Sequence, residues 1–118
     1  MSKEWKQSHP HKNRASNTVA KHLSQGIKKL IPTFYIEKLF EETIHCSICG
    51  CELKRDMGGH SPRSPSLDRI DNEDELRYDN IWIVCYKCNT RKSNNTMKEF
   101  YDYCKGVVEK FKPEFEGE

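Results

Sequence analysis

Four cysteines of this chain fall in two pairs of like spacing, Cys46-Ser47-Ile48-Cys49 and Cys85-Tyr86-Lys87-Cys88, with 35 residues between them. Two such knuckles supply four soft thiolates, a donor set suited to tetrahedral Zn²⁺. A site filled by four cysteines leaves no open position for a substrate, so its role is structural. Disulfides or unrelated buried thiols are the competing reading. The paired spacing favours zinc, and so does a start, MSKEWKQSHPHKNRAS, with no apolar secretory segment. Cys51 is a poorer substitute for Cys49, because Cys46-x4-Cys51 fits a knuckle less well, and Cys104 reads as a small core residue.

Between the knuckles lies SLDRIDNEDELRYDN, with six carboxylates from Asp68 to Asp79 against Arg69 and Arg77. Zinc ties the turn before this stretch to the segment after it, which lets Asp68 approach Asn89. Both offer hard oxygen donors, which favour Mg²⁺ or Mn²⁺ over zinc. Two protein oxygens with open positions suit metal-assisted cleavage of a phosphodiester, where a cation offsets charge on the phosphate and the leaving oxygen.

The elements that must position these groups can be read from periodicity. Val19, Leu23, Ile27, Leu30 and Ile31 recur on one helical face, with Ser16 or Asn17 as cap and Pro32 as stop, and a second helix from about 34 to 42 buries Ile36, Leu39 and Phe40. Residues 54–65 form a loop by Gly and Pro content, 66–71 and 81–84 form a β-hairpin, and NTRKSN begins a short polar helix. Thr96 and Glu99 make a capping box for a helix over 97–111, whose buried stripe would be Met97, Phe100/Tyr101, Cys104, Val107/Val108 and Phe111. The predicted organisation is a basic arm over 1–14 and a single domain over 15–112, followed by an acidic tail over 113–118. Within the domain, a helical lead-in (16–42) precedes a zinc-clamped core (46–95).

Length and charge bound the partners. At 118 residues with 35% hydrophobic content the chain has a modest core, of the size that a metal staple supplements. Residues 1–40 carry eight Lys/Arg against two acids, while residues 41–90 carry six against ten. A basic flank beside an acidic centre suits a polyanion held by one and a cation by the other. Trp5, His9, His11 and Arg14 of the arm are candidate non-specific phosphate contacts. No apolar run has membrane-spanning length, so the expectation is an intracellular, cytoplasmic protein.

The stretches CSICG, SPSLDRIDN and LRYDNIWIVCYKCNTRKSNNTMKEF, in this order, resemble the HNH (ββα-metal) endonucleases, in particular small phage-type members with a four-cysteine zinc clamp. The likeness covers roughly residues 30–104. It implies an α+β fold built on a zinc-stapled ββα-metal motif with flanking N- and C-terminal helices. It also implies an endonuclease hydrolysing DNA, most simply double-stranded, with one divalent ion, in the host cytoplasm if phage-encoded. Asp68 and Asn89 would bind that ion, Asn80 would brace the hairpin loop, and Ser93, one helical turn after Asn89, could reach the ion. Lys87, Arg91 and Lys92 could meet backbone phosphates.

One position departs from the family pattern. Arg69 stands where the family carries its histidine base, and a guanidinium stays protonated at working pH. It can grip a phosphate or stabilise the transition state, with Asp71 as a candidate partner to orient it, but it cannot activate water. His60, Tyr78 and metal-bound water remain as candidate bases. Residues 72–75 read as mostly solvated loop. Two other readings stand beside the nuclease: a catalytically impaired zinc-stabilised nucleic-acid-binding module, and a zinc scaffold for protein contacts. Monomer or homodimer, and a nick or a double-strand cut, are left open.

Overall fold

The computed structural model describes residues 10–55 and 61–117, so His60, Trp5 and His9 lie outside the described residues. The protein is α+β, with four helices and one two-stranded antiparallel sheet among the described residues. Helix α1 spans Pro10–Ser24. Proline is well suited to a first helical turn, where its missing N–H costs nothing. Residues 10–14 are therefore helical rather than part of an arm. The helix also stops well short of Pro32, because Gly26 adopts φ +80°. There Ile27 N–H donates to His22 O (3.0 Å) and Gly26 N–H donates to Leu23 O (3.1 Å), the paired bonds of a Schellman cap. The in-phase Ile27, Leu30 and Ile31 lie beyond that cap.

After the cap the chain runs extended across the hairpin loop. Leu30 N–H donates to Leu76 O at 3.0 Å and Leu76 N–H donates to Lys28 O at 3.1 Å, while Lys28 N–H donates to the Glu75 carboxylate at 2.6 Å. The acidic loop expected to be solvated is thus partly an organised edge, with Leu76 fully buried beside it. Helix α2 (Thr33–Glu42) packs on α1, and the two bury Ile36 and Phe40 with Ala15 and Val19.

Strand β1 (Pro65–Arg69) pairs with β2 (Ile81–Cys85) in a register that sets Asp68 opposite Trp82 and Arg69 opposite Ile81. Leu67, Ile81, Ile83 and Val84 carry the sheet's contribution to the core. Helix α3 (Tyr86–Lys92) follows without a break; it begins inside the second knuckle, capped by Cys85 and containing Cys88, rather than after it at NTRKSN. Helix α4 (Met97–Phe115) opens with a reciprocal capping box, in which Glu99 N–H donates to Thr96 Oγ1 (3.1 Å) and Thr96 N–H donates to the Glu99 carboxylate (2.9 Å). Its apolar stripe is not core. No side chain of α4 is buried, and Cys104, Val107, Val108 and Phe111 are exposed. Among the described residues, only the entry of the helix is tied down, where Met97 N–H donates to Ile70 O at 2.9 Å. Among the described residues no helix is long and apolar enough to cross a membrane.

Candidate metal centre and polar cleft

The two knuckles meet. The ligand atoms of Cys46, Cys49, Cys85 and Cys88 all lie within 4.8 Å of one another, and Cys49 Sγ is 3.8 Å from Cys85 Sγ. Tetrahedral thiolates about 2.3 Å from zinc are separated by about 3.8 Å, so the four cysteines can hold a metal ion such as zinc. Backbone donors already point at the sulfurs. Ile48 and Cys49 N–H donate to Cys46 Sγ (3.3 and 3.4 Å), and Cys88 N–H donates to Cys85 Sγ (3.4 Å). Gly50, at φ +80°, lets the first knuckle turn back so that Cys46 N–H reaches Cys51 O at 2.8 Å. Ser47 N–H donates to Ile83 O (3.1 Å), which fastens that knuckle to β2.

The thiols titrate unevenly. The Cys51 backbone N–H holds Cys49 down at about 6, whereas burial, followed by the neighbouring thiols, pushes Cys88 up. Burial pushes Cys51 up to about 12, and Cys51 stands outside the four-sulfur cluster. A divalent cation offsets the repulsion of several thiolates gathered in one place.

Asp68 is buried on β1 with both carboxylate oxygens engaged. Trp82 Nε1–H, from the opposite strand, donates to Oδ2 at 2.7 Å, and Lys92 Nζ donates to Oδ1 at 3.1 Å. The Lys92 side chain is 0% exposed and also donates to Arg69 O at 2.9 Å. Lys92 therefore belongs to a buried ion pair and is not placed to meet backbone phosphate. Lys87 and Arg91 are exposed and do not line the cleft described below.

The hairpin loop is held by two side chains. Asn80 is buried; its Oδ1 accepts from Asp71 N–H (2.8 Å) and its Nδ2 donates to the carbonyls of Asp71 and Glu75 (3.0 Å each). Arg69 Nη1 donates to Asn72 O (2.6 Å) and Asp74 O (2.8 Å). Arg69 is thus oriented by loop carbonyls rather than by Asp71, whose carboxylate accepts from Glu73 N–H instead (2.9 Å).

Beside the sheet lies a polar cleft of about 170 Å³. Its walls are Ser66, Asp68 and Arg69 from β1, Asn89 from α3, Ser93 and Asn94 beyond it, and Thr18, Lys21, His22 and Gln25 from α1. Asn89 Nδ2 donates to Ser66 Oγ (2.7 Å), which turns its amide without using the amide oxygen. Ser93 has φ 53° and ψ −131°, a conformation that costs a non-glycine residue free energy. Asp68, Asn89 and Ser93, expected from sequence as oxygen donors, are brought to one cleft.

Sequence reasoning missed the α1 wall. His22 Nδ1 lies 2.7 Å from Thr18 O, and since a carbonyl only accepts, Nδ1 carries the proton. The neutral ring then presents a lone pair at Nε2, which has no hydrogen bond among the described residues. Burial is the main cause that lowers the His22 pKa below its ordinary 6.5; Arg69 and Lys21 add to it, while the Thr18 carbonyl and Asp68 oppose it. The signal that could have found this wall is the Thr18-x3-His22 spacing with Lys21 and Gln25 at helical intervals from it, a polar strip beside the buried Ala15 and Val19. Tyr78 is elsewhere: it is exposed, and its ring meets Tyr35 edge-on at 4.6 Å. A comparison with family models, curated proteins and solved structures finds no match in any of the three.

Proposed function

We propose that this chain is a metal-dependent endonuclease that hydrolyses DNA phosphodiester bonds. The observation that carries the reading is one cleft gathering the oxygens of Asp68, Asn89 and Ser93 beside the cations of Arg69 and Lys21. The resemblance of residues 30–104 to HNH endonucleases supports it. The donor set fits a hard divalent ion. Asn89 keeps its amide oxygen uncommitted, and an ionised carboxylate has about four acceptor sites, so Asp68 can take a further partner beyond Trp82 and Lys92. Bound there, Mg²⁺ or Mn²⁺ would offset charge on the scissile phosphate.

The chain's own residues supply the rest. Arg69, held by two loop carbonyls, presents its remaining guanidinium donors to a phosphate, with Lys21 on the facing wall. Lys92 and Trp82 fix the Asp68 carboxylate, Asn80 fixes the loop whose carbonyls hold Arg69, and the two knuckles anchor strand β2.

A second reading, a nucleic-acid-binding module without catalysis, is favoured by the Lys92–Asp68 ion pair, which neutralises the carboxylate within the protein. A supercoiled-plasmid assay with Mg²⁺ or Mn²⁺ separates the two. The nuclease reading expects nicking or linearisation by the wild type and its loss in Asn89→Ala and Asp68→Asn variants that retain zinc. A wild type that shifts DNA on a gel, yet leaves plasmid intact with either ion, establishes the binding module.

A further inference from the structure

Among the described residues weighed as bases or in the base position, Arg69 is a permanent cation and Tyr78 packs on Tyr35, outside the cleft lining. We propose that His22, carried by the N-terminal helix α1, is the general base of this cleft. The inference rests on the endonuclease reading and adds a catalytic residue to it.

Three observations converge. His22 lines the same cleft as Asp68, Arg69 and Asn89, although 45 residues or more of sequence lie between it and them. Its Nδ1–H is committed to Thr18 O at 2.7 Å, which fixes the ring and leaves Nε2 as the acceptor. The helix is capped three to four residues later by the Schellman turn at Gly26, so the last turn that carries His22 is held in place. The charged groups around the ring are Lys21 on its own helix and Arg69 and Asp68 on β1. Burial first, and then the two cations, favour the neutral imidazole against the opposing Thr18 carbonyl and Asp68 carboxylate, and the cations make the site receptive to an anionic phosphate.

The step balances as a hydrolysis. A water oxygen forms a bond to phosphorus while its proton passes to His22 Nε2. The scissile P–O bond breaks with its electron pair on the leaving sugar oxygen, which takes a proton from solvent. The imidazolium then returns its proton to solvent, and no oxidant or co-reactant is needed.

The test uses the full zinc-loaded chain and supercoiled plasmid in Mg²⁺, a poor partner for imidazole nitrogen. His22→Ala is expected to slow cleavage by about 10²-fold or more, the usual weight of a general base, with plasmid binding and zinc content retained. Added imidazole should restore cleavage in proportion to its concentration. His22→Asn keeps a donor where Nδ1 donates to Thr18 O but has no basic nitrogen, so it should be as slow as His22→Ala. Wild-type activity in His22→Asn, or a loss in His22→Ala that imidazole does not relieve, makes His22 a structural residue and overturns the proposal. Retention of activity in His22→Ala overturns it while leaving the endonuclease standing. A wild type that cuts nothing overturns both.

Discussion

Replacing Lys92 by methionine removes the cation from a buried pair and leaves its carboxylate behind. The Lys92 side chain is 0% exposed and that of Asp68 is 6% exposed, with Nζ 3.1 Å from Oδ1. At that distance, with an effective dielectric near 20, the Coulomb attraction is about 5 kcal/mol. Lys92 also satisfies the Arg69 carbonyl, so the variant strands a second acceptor. Breaking a buried pair from one side costs about 3–5 kcal/mol, a large share of the about 5–15 kcal/mol that stabilises an ordinary domain. The expected result is a fall of about 3 kcal/mol or more in unfolding free energy, measured by guanidinium titration at fixed free zinc, because bound metal shifts apparent stability. Trp82, bonded to the same carboxylate, is a local fluorescence reporter. Asp68→Leu combined with Lys92→Met should recover much of the loss, since an apolar pair has no stranded charge. A Lys92→Met variant within 1 kcal/mol of wild type, on an effect estimated at about 3–5 kcal/mol, would refute the reasoning, as would strict additivity in the double variant.

Chelation should unfold the chain. Structural zinc in small domains contributes about 10–16 kcal/mol of apparent free energy, so circular dichroism should collapse with a strong chelator and return on adding Zn²⁺. Metal analysis should find one zinc per chain, kept in Cys51→Ser and lost or weakened in Cys49→Ser, because Cys51 lies outside the cluster. Burial lowers the folded pKa of His22 below 6.5, so the unfolded chain binds more protons at and below that pH. The stability held above pH 6.5 is therefore lost as pH falls; denaturant titrations from about pH 7.5 to about pH 5 should show a shallower decline in His22→Asn than in wild type. Some decline persists in that variant, since burial also lowers His11. Ser93→Gly should raise the denaturation midpoint by the equivalent of about 1 kcal/mol, since glycine adopts φ 53° without strain, and Ser93→Ala should not.

What the sequence revealed, and what it hid, follows from the range of each signal. Cysteine spacing reports a local geometry that closes on itself, so the four-sulfur cluster was legible from two short stretches. So were the Ile81–Cys85 strand and the Thr96/Glu99 box, which depend on neighbours within a few residues. Helix α1 was misjudged because periodicity carried the apolar face past Gly26, whose positive φ outweighs it. Lys92 was taken for a phosphate contact because lysines are ordinarily solvated. Its position one turn after Cys88 on the same face was the available clue to burial. The α1 wall of the cleft depends on how the chain returns over the hairpin loop through Lys28 and Leu76, a pairing with no local signature. The stripe on α4 was real as a pattern, but a pattern does not say whether anything covers it.

That uncovered helix has a thermodynamic character of its own. Most helical stability in proteins comes from packing of an apolar face, and α4 extends 19 residues with no buried side chain and, among the described residues, nothing packed along it beyond its entry. Its helix–coil equilibrium is that of a tethered peptide, nucleated at the Thr96 box and loosening toward Phe115. Amide protons should accordingly exchange on a gradient, slowest next to the cap and approaching free-peptide rates at the far end, while those of β1 and β2 open only with the whole domain. On heating, far-ultraviolet ellipticity would then slope away well before the core around the four cysteines melts, and the early slope should be insensitive to chelator.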